Sequence, residues 1–124
     1  MYDVKILHLL DKIIESVEIV QKRTETVQTV NDFLDSATGT LLLDGVCMKL
    51  IATGESIKNL DKLTNGNVLV LYPQIPWREV MGMRDIIVHH YFEVDADVIF
   101  NTVKENIPIL METLRQIRKD LTEK

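Results

Sequence analysis

Residues 75–95, IPWREVMGMRDIIVHHYFEVD, decide how the rest of the chain is read. Pro76 suits a first helical position, because its missing N–H would have no partner there. The pattern predicts one helix of about five turns, ending near the acidic residues Glu93–Asp95. Projected at 3.6 residues per turn, Trp77, Val80, Met81, Ile87, Val88, Tyr91 and Phe92 share one apolar arc. Arg84 falls near the middle of that arc, where a guanidinium is least expected. Beside the arc runs a polar strip of Arg78, Gly82, Asp85 and His89, with Asp85 and His89 one turn apart. Each feature has an ordinary explanation. A helical arginine commonly lays its stem on apolar surface with its head in water, and an acid–imidazole pair is a common surface interaction. Their concentration between Arg84 and His89 is what makes this stretch a candidate site.

At 124 residues the chain is long enough for a core without staples, and one domain spanning residues 1–124 is expected. A composition 46% hydrophobic and 27% charged is that of a soluble globular protein, not a disordered segment. The single cysteine, Cys47, excludes an intrachain disulfide. At an apolar helical position it reads as a small buried hydrophobe. The net charge of -5 argues against broad, nonspecific nucleic-acid binding, while leaving room for a local basic cleft. No basic-then-apolar leader opens the chain, and no apolar run reaches about 18 residues. A cytoplasmic protein without membrane contact is therefore expected.

The other segments are also helical. Val4, Leu7, Leu10, Ile14, Val17 and Val20 recur at three and four, predicting a helix from Tyr2 to about Arg23 with Asp3 as its cap. Val27, Val30, Phe33 and Leu34 predict a short helix within Thr24–Ser36, ending before Gly39. Thr38 or Thr40 is expected to cap a long helix to about Leu63, burying Leu43, Val46, Cys47, Leu50, Ile57 and Leu60. Gly54 shares that face, which points to close approach by another helix. Asn65-Gly66-Asn67 and the run Val68–Tyr72 suggest a strand at first sight. No partner strand is visible, so a loop across the bundle end is preferred. Asp95 or Asp97 caps a helix through Val98, Ile99, Val103 and Ile107 that Pro108 breaks or kinks. Ile109, Leu110, Leu114, Ile117 and Leu121 carry the last helix. The sum is an all-α, up-and-down bundle of four or five helices.

Several chemistries are set aside. There is no Gly-rich phosphate loop and no paired cysteine motif. His89 and His90 are adjacent, so they diverge by about 100° and cannot readily share a metal. His8 stands alone, and the glutamates lack the Glu-x-x-His pairs of a di-iron bundle. No metal and no cofactor are expected.

The order Arg84, Asp85, three apolar residues, His89, one residue and Tyr91 resembles the signature of the HEPN superfamily. It is most similar to the HepT-type toxin branch, whose pattern is Arg, four residues, His, any residue, Tyr. Ile75-Pro76-Trp77-Arg78, Gly82-Met83-Arg84, Tyr91-Phe92, Ile107-Pro108 and Gly54-Glu55 also match that branch. Phe100 departs from it, since members usually carry tryptophan there. The resemblance implies a four- or five-helix bundle that forms a homodimer and cleaves RNA without metal. It also implies membership of a type VII toxin–antitoxin pair, with a minimal nucleotidyltransferase antitoxin as partner. That partner transfers AMP to the motif tyrosine, here Tyr91, and silences the nuclease.

The residues suit that chemistry. Metal-free RNA cleavage needs a base for the 2′-OH proton, an acid for the leaving 5′-oxygen and a cation for the phosphorane. His89, with an unperturbed pKa of about 6.5, can exchange protons at neutral pH. Arg84 cannot lose its proton, so it positions and stabilises phosphate oxygens. Asp85 can orient either neighbour. On an ideal helix Arg84 and His89 diverge by about 140°, so a dimer cleft lined by both copies serves better than one subunit. Tyr91 lies about 20° from Arg84 on the same projection, where an anionic adduct would compete with substrate. Two other readings compete. One is a noncatalytic HEPN module binding nucleotide or a partner protein. The other is a structural dimer in which Arg84 is a buried ion-pair member.

Overall fold

The computed structural model describes residues 4–89 and 95–123, apart from the side chains of Val88 and His89. Helix α1 (Val4–Arg23) buries Ile6, Leu10, Ile13, Val17 and Val20, a single stripe at spacings of three and four. The sequence reading names Leu10, Val17 and Val20 correctly but places Val4, Leu7 and Ile14 on the stripe. Val4 is instead 81% exposed. Ile6-Leu7 and Ile13-Ile14 are adjacent apolar pairs, and periodicity alone cannot choose between their members. Asp3, the expected cap, lies outside the described residues. At the other end, the buried Thr24 hydroxyl donates to the Val20 carbonyl at 2.7 Å.

The short helix α2 (Asn31–Leu34) is a single turn that buries Phe33. The Asp32 carboxylate accepts the N–H groups of Gln28 and Thr29 at 2.7 and 3.1 Å, and so folds the loop before it. Helix α3 (Ala37–Leu63) is the longest element, and it buries all six apolar residues expected of it. Its cap is Ser36, not Thr38 or Thr40. The Ser36 backbone is extended and its Oγ accepts the Gly39 N–H at 2.9 Å. Thr40 already lies inside the first turn, where its hydroxyl donates to the Ala37 carbonyl. The helix ends where Asn65 and Gly66 take positive φ and the Gly66 N–H reaches back to the Asp61 carbonyl.

The loop that follows contains one 3-10 turn, Leu69–Leu71, and no strand. Val68 and Leu69 are buried while Val70 and Leu71 face outward. Two side-chain hydrogen bonds fix it. The Tyr72 hydroxyl donates to Asp120 at 2.5 Å, and the Trp77 indole N–H donates to the Tyr72 carbonyl at 2.9 Å.

The expected single helix after Pro76 is two: α4 (Trp77–Met81) and α5 (Met83–His89). Gly82 interrupts them with φ -88° and ψ 3°, and its N–H is shared between the Arg78 and Val80 carbonyls. Residues 90–94, where the expected helix was to end, lie outside the described residues. Asp95 caps α6 (Ala96–Asn101) by accepting the N–H groups of Asp97 and Val98. A π turn, Thr102–Asn106, then leads into α7 (Ile107–Thr122), with Pro108 in its first turn. Pro108 has no N–H for the ladder and its ring would clash with the carbonyl four residues back. The wider turn before it accommodates both. Of the last helix's expected face, Ile109 is 51% exposed and Met111 is buried in its place.

The long elements assemble around α3. Helix α1 packs on α3 and α7, while α2, α4 and α5 pack on α3. Lys104, in the π turn, donates to the Thr24 carbonyl at 3.0 Å and ties this strand of the bundle to the end of α1. The outer pairs Arg118–Asp11 (2.6 Å) and Arg115–Glu18 (3.5 Å) add little, being solvent-exposed. The result is an all-α, HEPN-like bundle, with no strand among the described residues.

Candidate functional site

The break at Gly82 determines which groups reach solvent. In an unbroken helix Trp77, Met81 and Arg84 would share a face, and Arg84 would sit in the apolar arc. In the structure the inward residues of the second segment are Met83 and Ile87, whereas Arg84, Asp85 and Ile86 are exposed. Arg84 is therefore not in the middle of a buried face. The Asp85 N–H bonds the Gly82 carbonyl at 3.0 Å, and the Ile86 N–H reaches the same oxygen at 3.4 Å, so the first turn of α5 is tightly wound. Arg84 is not buried within its own subunit. No ion pair or side-chain hydrogen bond engages it among the described residues.

Arg84 and Asp85 thus present a cation and a carboxylate from one exposed turn, both available to an incoming ligand. The backbone of His89 is the last described on the same helix, just over a turn later. Its side chain, and all of Tyr91, lie outside the described residues. The Asp85–His89 pairing and the approach of Tyr91 to Arg84 are accordingly geometries of the sequence reading.

Gly54 performs the role its position suggests. A Cβ built on it would stand 2.7 Å from the Val80 carbonyl oxygen and 3.6 Å from the Met83 Cβ. Only a residue without a side chain lets the α4–α5 junction lie this close to α3. Next to this crossing is a slot of about 330 Å³. It is lined from three parts of the chain: α3 around Gly54, α4 and α5 from Glu79 to Ile86, and α6 to the start of α7 from Val98 to Ile107. Sequence reading missed this slot, since its lining comes from three separate segments. The only signals for it were the glycine in the face of α3 and the proline that brings the π turn.

Other candidate groups are inert. Cys47 is buried, and burial, helped by the nearby Asp44 carboxylate, pushes its thiol up to about 11. It stays protonated and is not an activated nucleophile. His8 is exposed. Among the described residues no three His, Cys, Asp or Glu side chains are grouped as a metal ion would require. No helix among the described residues is long and apolar enough to cross a membrane.

Comparison with known proteins gives the family. A family model described as "Ribonuclease HepT-like" matches residues 13–117. A protein of Thermococcus cleftensis named "Probable ribonuclease HepT" is 37% identical over 111 residues, covering 89% of this chain and 93% of that protein. A protein of Methanocaldococcus jannaschii named "Gamma-glutamylcyclotransferase and putative RNase" is 37% identical over 119 residues. That match covers 96% of this chain but only 49% of the relative, so the chain spans about half of that longer protein. A "Putative RNase" of Caldanaerobacter subterraneus subsp. tengcongensis is 29% identical, over 87% of this chain and 89% of that protein. No solved structure gives a significant match. With its helical bundle and its Arg84-bearing helix, and with a family match over most of its length, the chain belongs to the HepT-like ribonuclease family.

Proposed function

We propose that this chain is a metal-independent endoribonuclease, the toxin of a toxin–antitoxin pair acting in the cytoplasm, with residues 1–124 forming one HEPN-like unit. The observation that carries this is the exposed guanidinium of Arg84 beside Asp85, five positions before His89 on α5, in a HepT-like chain. The relatives' names, which specify ribonucleases, support the substrate class.

In this reading His89 takes the proton of a ribose 2′-OH, and the freed oxygen attacks the adjacent phosphorus. The bond to the 5′-oxygen breaks, and that oxygen is protonated as it leaves. The product is a 2′,3′-cyclic phosphate, which DNA cannot form without a 2′-OH. Arg84 stabilises the charge on the nonbridging oxygens, most strongly in the phosphorane. Asp85 orients the imidazole or the guanidinium. Arg84 and His89 are five positions apart on a regular segment, so their backbones direct them about 140° apart. Two copies of α5 facing one another solve this, and the catalytic unit is the homodimer.

Regulation follows from Tyr91. A minimal nucleotidyltransferase partner transfers AMP from ATP, forming a phosphodiester at the Tyr91 hydroxyl and releasing pyrophosphate. The added anion competes with substrate phosphate for Arg84. Purified protein with chelator present should cut RNA, and His89→Ala and Arg84→Ala should lose this by about 10²-fold or more while remaining folded. Full activity in both variants would overturn the reading. Nucleotide binding without cleavage by the parent would favour a noncatalytic HEPN module. Mass spectrometry of protein made with and without its nucleotidyltransferase neighbour tests Tyr91 directly, through the mass of one AMP.

A further inference from the structure

A nuclease that cuts single strands needs somewhere to hold a base beside the scissile phosphate, because unstacked bases are what such proteins recognise. We infer that the slot between α4–α5 and the π turn is a base-binding site for the RNA strand, selective for guanine. The inference rests on the nuclease reading for its substrate, and on the following geometry for the rest.

The slot holds about 330 Å³, at the small end of ligand-sized pockets, and suits one heterocycle rather than a peptide segment. Its lining is mostly apolar, with Val80, Met83 and Ile86 from α4 and α5 and Val98 and Ile107 from α6 and α7. Apolar side chains can hold a base by its faces, whatever its identity. Selectivity must then come from polar groups meeting its edge. Two polar side chains of the lining are exposed: the Glu79 carboxylate on α4 and the Asn106 carboxamide at the end of the π turn. An ionised carboxylate only accepts hydrogen bonds. Guanine alone offers it two adjacent donors, N1–H and the N2 amino group, matching its two oxygens. An amide supplies both a donor and an acceptor to the remaining edge.

Position favours the same reading. Met83 and Ile86 line the slot from α5 itself, and Arg84 and Asp85 lie between them in the chain. A base held there would place its own phosphate along the helix that carries the proposed chemistry. The π turn supplies a second observation. Turns of this kind, inserted in helices, frequently mark functional positions, and this one contributes both Thr102 and Asn106 to the slot. Thr102 already gives its hydroxyl proton to the Val98 carbonyl at 2.8 Å, so its oxygen remains as an acceptor.

The test uses the whole protein and two readouts. Binding of GMP, AMP, CMP and UMP is followed by NMR shifts of the slot's methyl groups, and cleavage sites are mapped on an RNA of mixed sequence. GMP should bind at least tenfold tighter than UMP, and cuts should fall beside guanines. Glu79→Gln should reduce both preferences about tenfold, and Val98→Trp, which adds bulk at an exposed position of the lining, should abolish GMP binding. Val98→Trp protein that keeps full GMP affinity, or Glu79→Gln protein with an unchanged cleavage pattern, would overturn the assignment. RNA cleavage with no nucleotide shifts in the slot would overturn the base site and leave the nuclease standing. GMP binding in a protein that cuts no RNA would do the reverse.

Discussion

Gly54 and Val80 lie so close that a methyl group on the glycine would stand 2.7 Å from the valine's carbonyl oxygen. A backbone carbonyl cannot swing aside as a side chain would, so Gly54→Ala must displace α4 or the start of α5. Overpacking of this kind costs about 1–3 kcal/mol, more than the roughly 1 kcal/mol that alanine gains over glycine inside a helix. We expect Gly54→Ala to lower the melting temperature and to reduce activity by moving Arg84. Gly45 is the control, since nothing lies within 4 Å of a Cβ built there. Gly45→Ala should leave stability unchanged or raise it, as thermal denaturation would show.

The two-copy site makes a sharper prediction. Arg84→Ala and His89→Ala proteins should each be inactive alone. Mixed, unfolded and refolded together, they should recover a measurable part of the parent rate. Each mixed dimer holds one copy with its arginine intact and one with its histidine intact. Absence of any recovery, with mixed dimers confirmed by native mass spectrometry, would place both groups in one subunit.

The Tyr72–Asp120 hydrogen bond gives a pH dependence. Burial, reinforced by the hydrogen bond to Asp120 and by its charge, pushes the Tyr72 hydroxyl up to about 12 from its ordinary value of 10.0. The folded state then holds this proton more tightly than the unfolded chain does. Its contribution is complete below pH of about 10 and falls away as pH rises toward 12. Tyr72→Phe should remove that alkaline loss and cost about 1–2 kcal/mol at neutral pH, by denaturant titration.

Cys47 offers a reporter. Its thiol is buried and held near 11, so alkylation by iodoacetamide at pH 8 should be slow and limited by opening of the bundle. The rate should rise sharply in Gly54→Ala protein. A rapid reaction in the native parent would contradict the burial.

Much of this arrangement was legible in the residues. The face of α3 follows from strict spacing of large apolar groups, and Gly54 stood out as the one gap in it. The cap of α6, narrowed to Asp95 or Asp97, the buried thiol and the disruption at Pro108 each follow from local chemistry. The break at Gly82 does not, because one glycine within a continuing apolar period leaves the pattern intact. Beyond that break Arg84 lies on the surface and not in the expected apolar arc. The cap of α3 was misplaced because Ser36, Thr38 and Thr40 are chemically similar, and only the extended backbone at Ser36 selects it. The slot beside α5 was invisible for another reason. Its walls are brought together by the packing of α4–α5 and the π turn on α3, and no short window of sequence contains both.

The π turn between α6 and α7 decides which changes of length this stretch tolerates. Thr102–Asn106 winds one residue more into its hydrogen-bonded ring than an α-turn would. It thereby absorbs that residue without rotating the helix beyond, and Ile99, Val103 and Ile107 all stay buried at intervals of four. Deleting one residue there should restore an ordinary α-helix with Leu110, Leu114 and Ile117 still inward, whereas inserting a further one should turn them by about 100°. The region should therefore tolerate the loss of a residue better than the gain of one, although it reads, residue by residue, as ordinary helix.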